Sequence, residues 1–268
     1  QYLGLGMPIE YDVAIAFHWA RAAALLNERL SAGPEPGERD ALWASAALLG
    51  SLAFSSIEAT RPEDVWPLNP TSNLAWLALT EGKKEIWRIA QPTREDSIFH
   101  SLLPDYMKYS SPNTASHAEL QKLPGTLFQL CGFDHMPLDM SNPYYGPASV
   151  LAQTLDIECS KDNVGRFLSL FGCMTMEYKR LLHEKDPCAI LILGYWYAKV
   201  CHSQQWYSWQ RAYLESQAIC KYLIQNFTDD LGIVALARDL QMRCAAEKPW
   251  RSLSQQQAGV RTLRPFSA

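Results

Sequence analysis

The chain of 268 residues lacks most of the features that would assign it a chemistry at once. No C-x-x-C pair occurs, and its seven cysteines are scattered singly from position 131 to position 244. Structural zinc sites usually draw ligands in close pairs, and disulfide scaffolds crowd cysteines into short chains, so the reading is one of buried free thiols in a reducing compartment. The longest uncharged apolar run, Pro187 to Ala198, has twelve residues, whereas a bilayer needs about 18. No membrane span is expected. No basic segment followed by an apolar stretch opens the chain, so no signal peptide is expected either, and a first residue of Gln suggests a piece of a longer protein. Charge is scarce as well: only 19% of residues are charged, the formal net charge is −4, and no long run of one sign offers a general magnet for nucleic acid.

What the sequence does hold is apolar bulk. Hydrophobic residues make up 48% and include nine Trp, twelve Tyr and nine Phe, which excludes intrinsic disorder. A single domain of this length can bury roughly three quarters of the surface its unfolded chain exposes. Strand-like alternation is nearly absent. Helical spacing instead runs through Ile9 to Leu30 (Val13, Ala16, Phe17, Ala20, Ala24), through Asp40 to Ser55, which reads as mostly buried, and through a third helix capped by Ser72 or Asn73 and reaching Ile89.

Residues 92–147 hold seven of the sixteen prolines, which limits that segment to short helical pieces and makes it either a surface wrap or a lid. Regular structure resumes at Ala148 to Ile157 and at Val164 to His183, where Phe167, Leu170, Phe171, Met174, Tyr178 and Leu181 recur every three or four residues. Asp186 and Pro187 supply an N-cap and a first-turn proline for a helix to Cys201 that is apolar all round, and so central. Tyr207 to Phe227, with Arg211 and Glu215 four apart, and Asp229 to Ala246 complete the set. The expected fold is an all-α, single-domain helical bundle over residues 1–247 with one long irregular Pro-rich segment, followed by a basic, weakly structured tail over 248–268.

No catalytic constellation emerges. Gly4-Leu5-Gly6 and Gly82-Lys83 lack the further glycines of a phosphate loop, and Pro187 stands where a second zinc-binding His would follow His183-Glu184. Asp229-Asp230 reads as a helix cap, and Cys131 with His135 is too small a set for a metal, so no catalytic and no metal-binding residue is assigned. The aromatic and methionine side chains carry the remaining signal. Trp43, Phe54 and Trp76 in the first half, with Phe167, Phe171, Met174, Tyr195 and Trp196 and their neighbours Met176 and Tyr197, read either as core packing or as the lining of an apolar pocket for a flat hydrophobic ligand.

The run from Arg39 to Gly50, with Ala53-Phe54-Ser55-Ser56 and Pro62-Glu63-Asp64-Val65-Trp66-Pro67-Leu68, resembles the C-terminal region of fungal binuclear-zinc-cluster transcription factors of the sterol uptake control type. Trp76-Leu77, Gly82 to Trp87, Arg94 to Phe99, Asp186-Pro187, Leu193 to Ala198, and Trp209, Arg211, Glu215 and Tyr222-Leu223 continue the likeness to about residue 227. The resemblance implies an all-α, homodimer-forming regulatory domain without enzymatic activity, acting in nucleus and cytoplasm, which in sterol-responsive members holds ergosterol and in others has no known ligand. It implies DNA contact, and zinc, only through an N-terminal C-x2-C-x6-C module absent from this chain. The mobile element expected to answer a ligand is the 92–147 segment or the tail with Arg261 and Arg264. The alternative is a ligand-free dimerisation and coactivator-docking scaffold.

Overall fold

The computed structural model describes residues 9–102, 104, 114–160, 162–203 and 208–245, and every regular element there is helical. Helix α1 (Ile9–Ala32) stops where Gly33 takes left-handed backbone at φ +81° and Pro34 follows. Helices α2 (Arg39–Ser55) and α3 (Ala75–Ala90) come next, flanked by short 3-10 turns at Pro36–Glu38 and Pro62–Asp64. In the Pro-rich stretch lie a 3-10 turn at His100–Leu102 and two short helices, α4 (His117–Leu120) and α5 (Gly125–Leu130). Ser116 and Glu119 cap α4 reciprocally. The remainder is α6 (Tyr145–Thr154), α7 (Val164–Cys173), α8 (Met176–His183), α9 (Pro187–His202), α10 (Trp209–Asn226) and α11 (Leu231–Ala245).

Helix α9 organises the single all-α domain. The Asp186 carboxylate accepts the Ala189 N–H at 2.9 Å and Pro187 opens the first turn. Thirteen of its sixteen residues are buried, which requires neighbours on all sides, and α5, α6, α8, α10 and α11 all pack on it. Each large apolar side chain enclosed this way contributes about 1.5–3 kcal/mol. Three consecutive aromatics fan out around its axis and carry their polar atoms to three different helices. The Tyr195 hydroxyl meets Asp239 of α11 at 2.7 Å, the Trp196 indole N–H donates to the Phe167 carbonyl of α7 at 2.8 Å, and the Tyr197 hydroxyl donates to Glu215 of α10 at 2.5 Å. Helices α10 and α11 press on α9 at Gly194, where a Cβ would stand 2.6 Å from Leu240 Cδ2 and 3.2 Å from Ile219 Cγ2.

Several expectations change. Val164 to His183 is two helices, not one, because Thr175 leaves the helix and caps α8 by accepting the Tyr178 N–H. Helix α2 is not mostly buried: only Leu42, Ala46 and Ser55 are, while Leu48 and Leu52 face outward. Helix α3 begins at Ala75, and Asn73 Oδ1 accepts the Ala75 N–H from one residue outside the N-cap position, which Leu74 occupies. The second half of the Pro-rich segment holds only short helices, as expected, and these bury Leu120, Leu123, Leu127 and Phe133 in the main core. The cysteines are not all free: Cys131, at the end of α5, is joined to Cys188 in the first turn of α9, while Cys159 and Cys220 are buried thiols. The basic tail lies outside the described residues.

Candidate functional site

Helix α2 and the Pro62–Asp64 turn pack on α10, and Trp76 of α3 reaches Phe171 of α7; a cleft of about 510 Å3, lined also by Trp19 of α1, opens at that seam. One wall is apolar and includes Trp19 of α1, Ile57, Val65 and Trp76 of α3. The rim is polar, with Glu58, Asp64 and the run Thr71-Ser72-Asn73. Asn69 sets that run by accepting both the Thr71 N–H, at 3.0 Å, and the Thr71 hydroxyl, at 2.8 Å.

Arg211 and Glu215, one turn apart on α10, form the inner end of the cleft. Arg211 Nη1 donates to Glu215 Oε1 at 2.6 Å, and the second Glu215 oxygen accepts from Tyr197. The remaining guanidinium donors serve the C-terminal end of α2: Nε reaches the Phe54 carbonyl at 2.6 Å and Nη2 the Ser56 carbonyl at 3.2 Å. These are carbonyls that a helix C-terminus leaves without intrahelical partners, so a cation there is favoured by both hydrogen bonding and the helix dipole. Next to it Gln210 donates to the Ala59 carbonyl at 3.2 Å. Glu215 is 1% exposed, and burial pushes its carboxyl above the usual carboxylate range despite Arg211 and Tyr197. The trio therefore ties α2, α9 and α10 together at the cleft.

The eight aromatic and methionine residues singled out from sequence divide into three groups. Phe54, Trp76, Phe171 and Trp196 form one chain of edge-to-face rings with centroids 5.0–5.3 Å apart along Phe54–Trp76–Phe171–Trp196. Phe167 joins it through its carbonyl on Trp196, and Met174 is buried in the same core. Trp43 lies elsewhere, edge-on to Trp87 at 4.7 Å and with the Lys83 ammonium 5.2 Å from its ring centre; burial pushes that lysine below its usual range. Tyr195 turns away toward Asp239 and Arg243.

Of the eight, Trp76 alone also lines the described cleft. It is 4% exposed, and its indole N–H is buried with no acceptor among the described residues. Comparison with protein-family models, with curated proteins and with solved structures finds no match.

Sequence reasoning missed Trp19, the 56–59 and 71–73 rims and Tyr197's link to Glu215. The i, i+4 pair Arg211–Glu215 was visible, and its burial was signalled by Ala212, Leu214 and Ala218 around it, which are buried with it.

Proposed function

We propose that this chain is the C-terminal regulatory domain of a fungal zinc-cluster transcription factor, which senses a sterol or similar hydrophobic small molecule in the cleft and catalyses no reaction. One observation carries the reading. Blocks far apart in sequence that bear the resemblance to such regulators, namely Ala53 to Ser56, Pro62 to Leu68, Trp76, and Arg211 with Glu215, each supply residues to this cleft. A ligand seated there touches α1, the end of α2 and α10 together, so it can favour one arrangement of the three over another through its differential affinity. DNA contact, and the zinc it uses, belong to a separate N-terminal module, and the domain works in nucleus and cytoplasm. The experiment is organic extraction of the chain purified from a fungal host, followed by mass spectrometry. One sterol or related lipid per chain supports the reading; an empty chain whose melting temperature also ignores added ergosterol contradicts it.

A second reading, a homodimerisation and coactivator-docking scaffold, is favoured by the outer surface of α1 and α2. Val13 and Phe17 are each 64% exposed and Leu48 is 65% exposed, an unusual set of large apolar side chains to leave in water. Sedimentation of the chain at micromolar concentration tests it, and Leu48→Asp with Phe17→Asp is expected to leave a monomer.

A further inference from the structure

The bond from Cys131 to Cys188 joins residues 57 positions apart and fastens the second half of the Pro-rich segment to the central helix. Apart from that bond, this half is held by packing and a few hydrogen bonds. Helix α4 rests on α6, and α5 rests on α9 and α11; the Tyr145 hydroxyl donates to the Ala115 carbonyl at 2.9 Å, and Asn142 Nδ2 donates to the Cys131 carbonyl at 2.8 Å. The two helices have four and six residues, too few to persist without such support. Both cysteines are 2% exposed, yet Cys131 lies directly beneath the surface, with Gly132 and residues 134–137 exposed after it. Cys188 is the second residue of α9, where the helix start favours a thiolate. Two effects therefore oppose each other at this pair: packing of α5 on α9 holds the sulfurs together and favours the bond, while the helix start stabilises the thiolate that leaves when the bond opens.

We propose that Cys131 and Cys188 form a reversible thiol–disulfide latch, open in the reducing surroundings of a nuclear and cytoplasmic regulator and closed under oxidant, with closure fastening α4 and α5 to α9. The latch rests on the intracellular placement given above and not on the cleft. The structure holds the closed form. Closing consumes one hydroperoxide. One sulfur of the pair attacks a peroxide oxygen, the O–O bond breaks to give a sulfenic acid and an alcohol or water, and the second thiol displaces the hydroxyl as water; the sulfurs lose the electron pair that the peroxide gains. Opening consumes one cellular dithiol. Its thiolate attacks Cys131 Sγ, Cys188 leaves as a thiolate and takes up a proton, and the second reductant thiol displaces Cys131 from the mixed disulfide, so that the reductant departs oxidised.

The test treats the full chain under native conditions with dithiothreitol and, after its removal, with hydrogen peroxide. Acid quenching, alkylation in denaturant and peptide mass spectrometry read each cysteine, and hydrogen exchange reads the backbone. Cys131 and Cys188 are expected to change state together in both directions. Opening is expected to speed exchange of residues 117–133 about tenfold, to leave residues 190–200 unchanged, and to lower the melting temperature by about 10 °C. Cys131→Ser and Cys188→Ala are each expected to exchange at the open rate under either treatment; should both fail to fold, the unaltered chain in its two states decides alone. A bond that dithiothreitol opens only in denaturant, a pair that peroxide leaves as thiols, or exchange of residues 117–133 that is equal in the two states overturns the latch. None of these readouts involves a ligand, so failure here leaves the sterol reading standing, and an empty cleft leaves the latch standing.

Discussion

Helices α1 to α3 and the helices around α9 are made from similar residues, rich in Ala, Leu and aromatics, yet they differ in what covers them. Every residue of α9 from Cys188 to Ala198 is buried, whereas α2 leaves Leu48 and Leu52 outside and residues 13–32 of α1 contribute none of the core residues. The difference is positional. Apolar residues all round a helix describe a helix able to be central, and only the count of neighbours makes it so. The N-terminal helices are fastened to the bundle at discrete points: the rings of Phe54 and Trp76 on Phe171, the Arg211 clasp on the end of α2, and Lys221 on Glu63. A cleft at such a seam can respond to a ligand without disturbing the core.

The contrast can be broken most forcefully at the clasp. Arg211→Ala strands the Glu215 carboxylate in a buried site and frees the carbonyls of α2, and is expected to cost about 4 kcal/mol by urea denaturation. Glu215→Gln with Arg211→Leu is expected to recover part of that. Phe171→Ala removes the ring between Trp76 and Trp196 and is expected to cost about 3 kcal/mol, with the melting temperature as the readout. If the bundle nevertheless stays cooperatively folded while cleft binding weakens, the ring chain couples seam to core as described.

The same substitution then separates the two regions by sign. Gly194→Ala drives a methyl into Leu240 and Ile219 and is expected to destabilise by about 2 kcal/mol. Gly50→Ala in α2 meets nothing within 4 Å and is expected to stabilise by about 0.5–1 kcal/mol through helix propensity. Equal effects at both sites would remove the distinction.

The smallest effect concerns Asp40 at the start of α2. It accepts from the Ile98 N–H at 2.9 Å and from Ser97 at 2.8 Å, and pairs with Arg94 at 2.7 Å. The Ile98 N–H bond comes first among the influences that hold its carboxyl below the usual 3.8. Being lowered, that pKa adds stability above 3.8 that is lost as pH falls through the depressed value. Asp40→Asn is therefore expected to cost about 1 kcal/mol at pH 7 and progressively less below pH 4, measured by thermal melts across pH.

The legible parts of the molecule were local. Asp186-Pro187 followed by an apolar run specifies the start and burial of α9 without reference to anything else, and Asp230, which accepts from the Gly232 and Ile233 N–H groups, caps α11 as its type and place suggest. The break at Met174-Thr175 was hidden because Phe171, Met174 and Tyr178 keep helical spacing across it, leaving Thr175 as its one mark. The Cys131–Cys188 bridge spans 57 residues, and spacing alone does not specify which cysteines meet. For the cleft, residue type told which side chains were large and apolar, but not that Trp76 joins Phe171 while Trp43 and Tyr195 belong to other surroundings. The pair Arg211–Glu215 could be read as a helix-surface ion pair, and only the arrival of α2's carbonyls and Tyr197 shows what it holds.

The most direct test of a ligand cleft at the seam is hydrogen exchange of the whole chain, followed by mass spectrometry, with and without saturating ergosterol. The account predicts slower exchange in residues 53–59, 71–76 and 209–215, with the amides of α9 already protected and unchanged. Protection that is unaltered at the seam, or gained instead across α9 and α11, would contradict it.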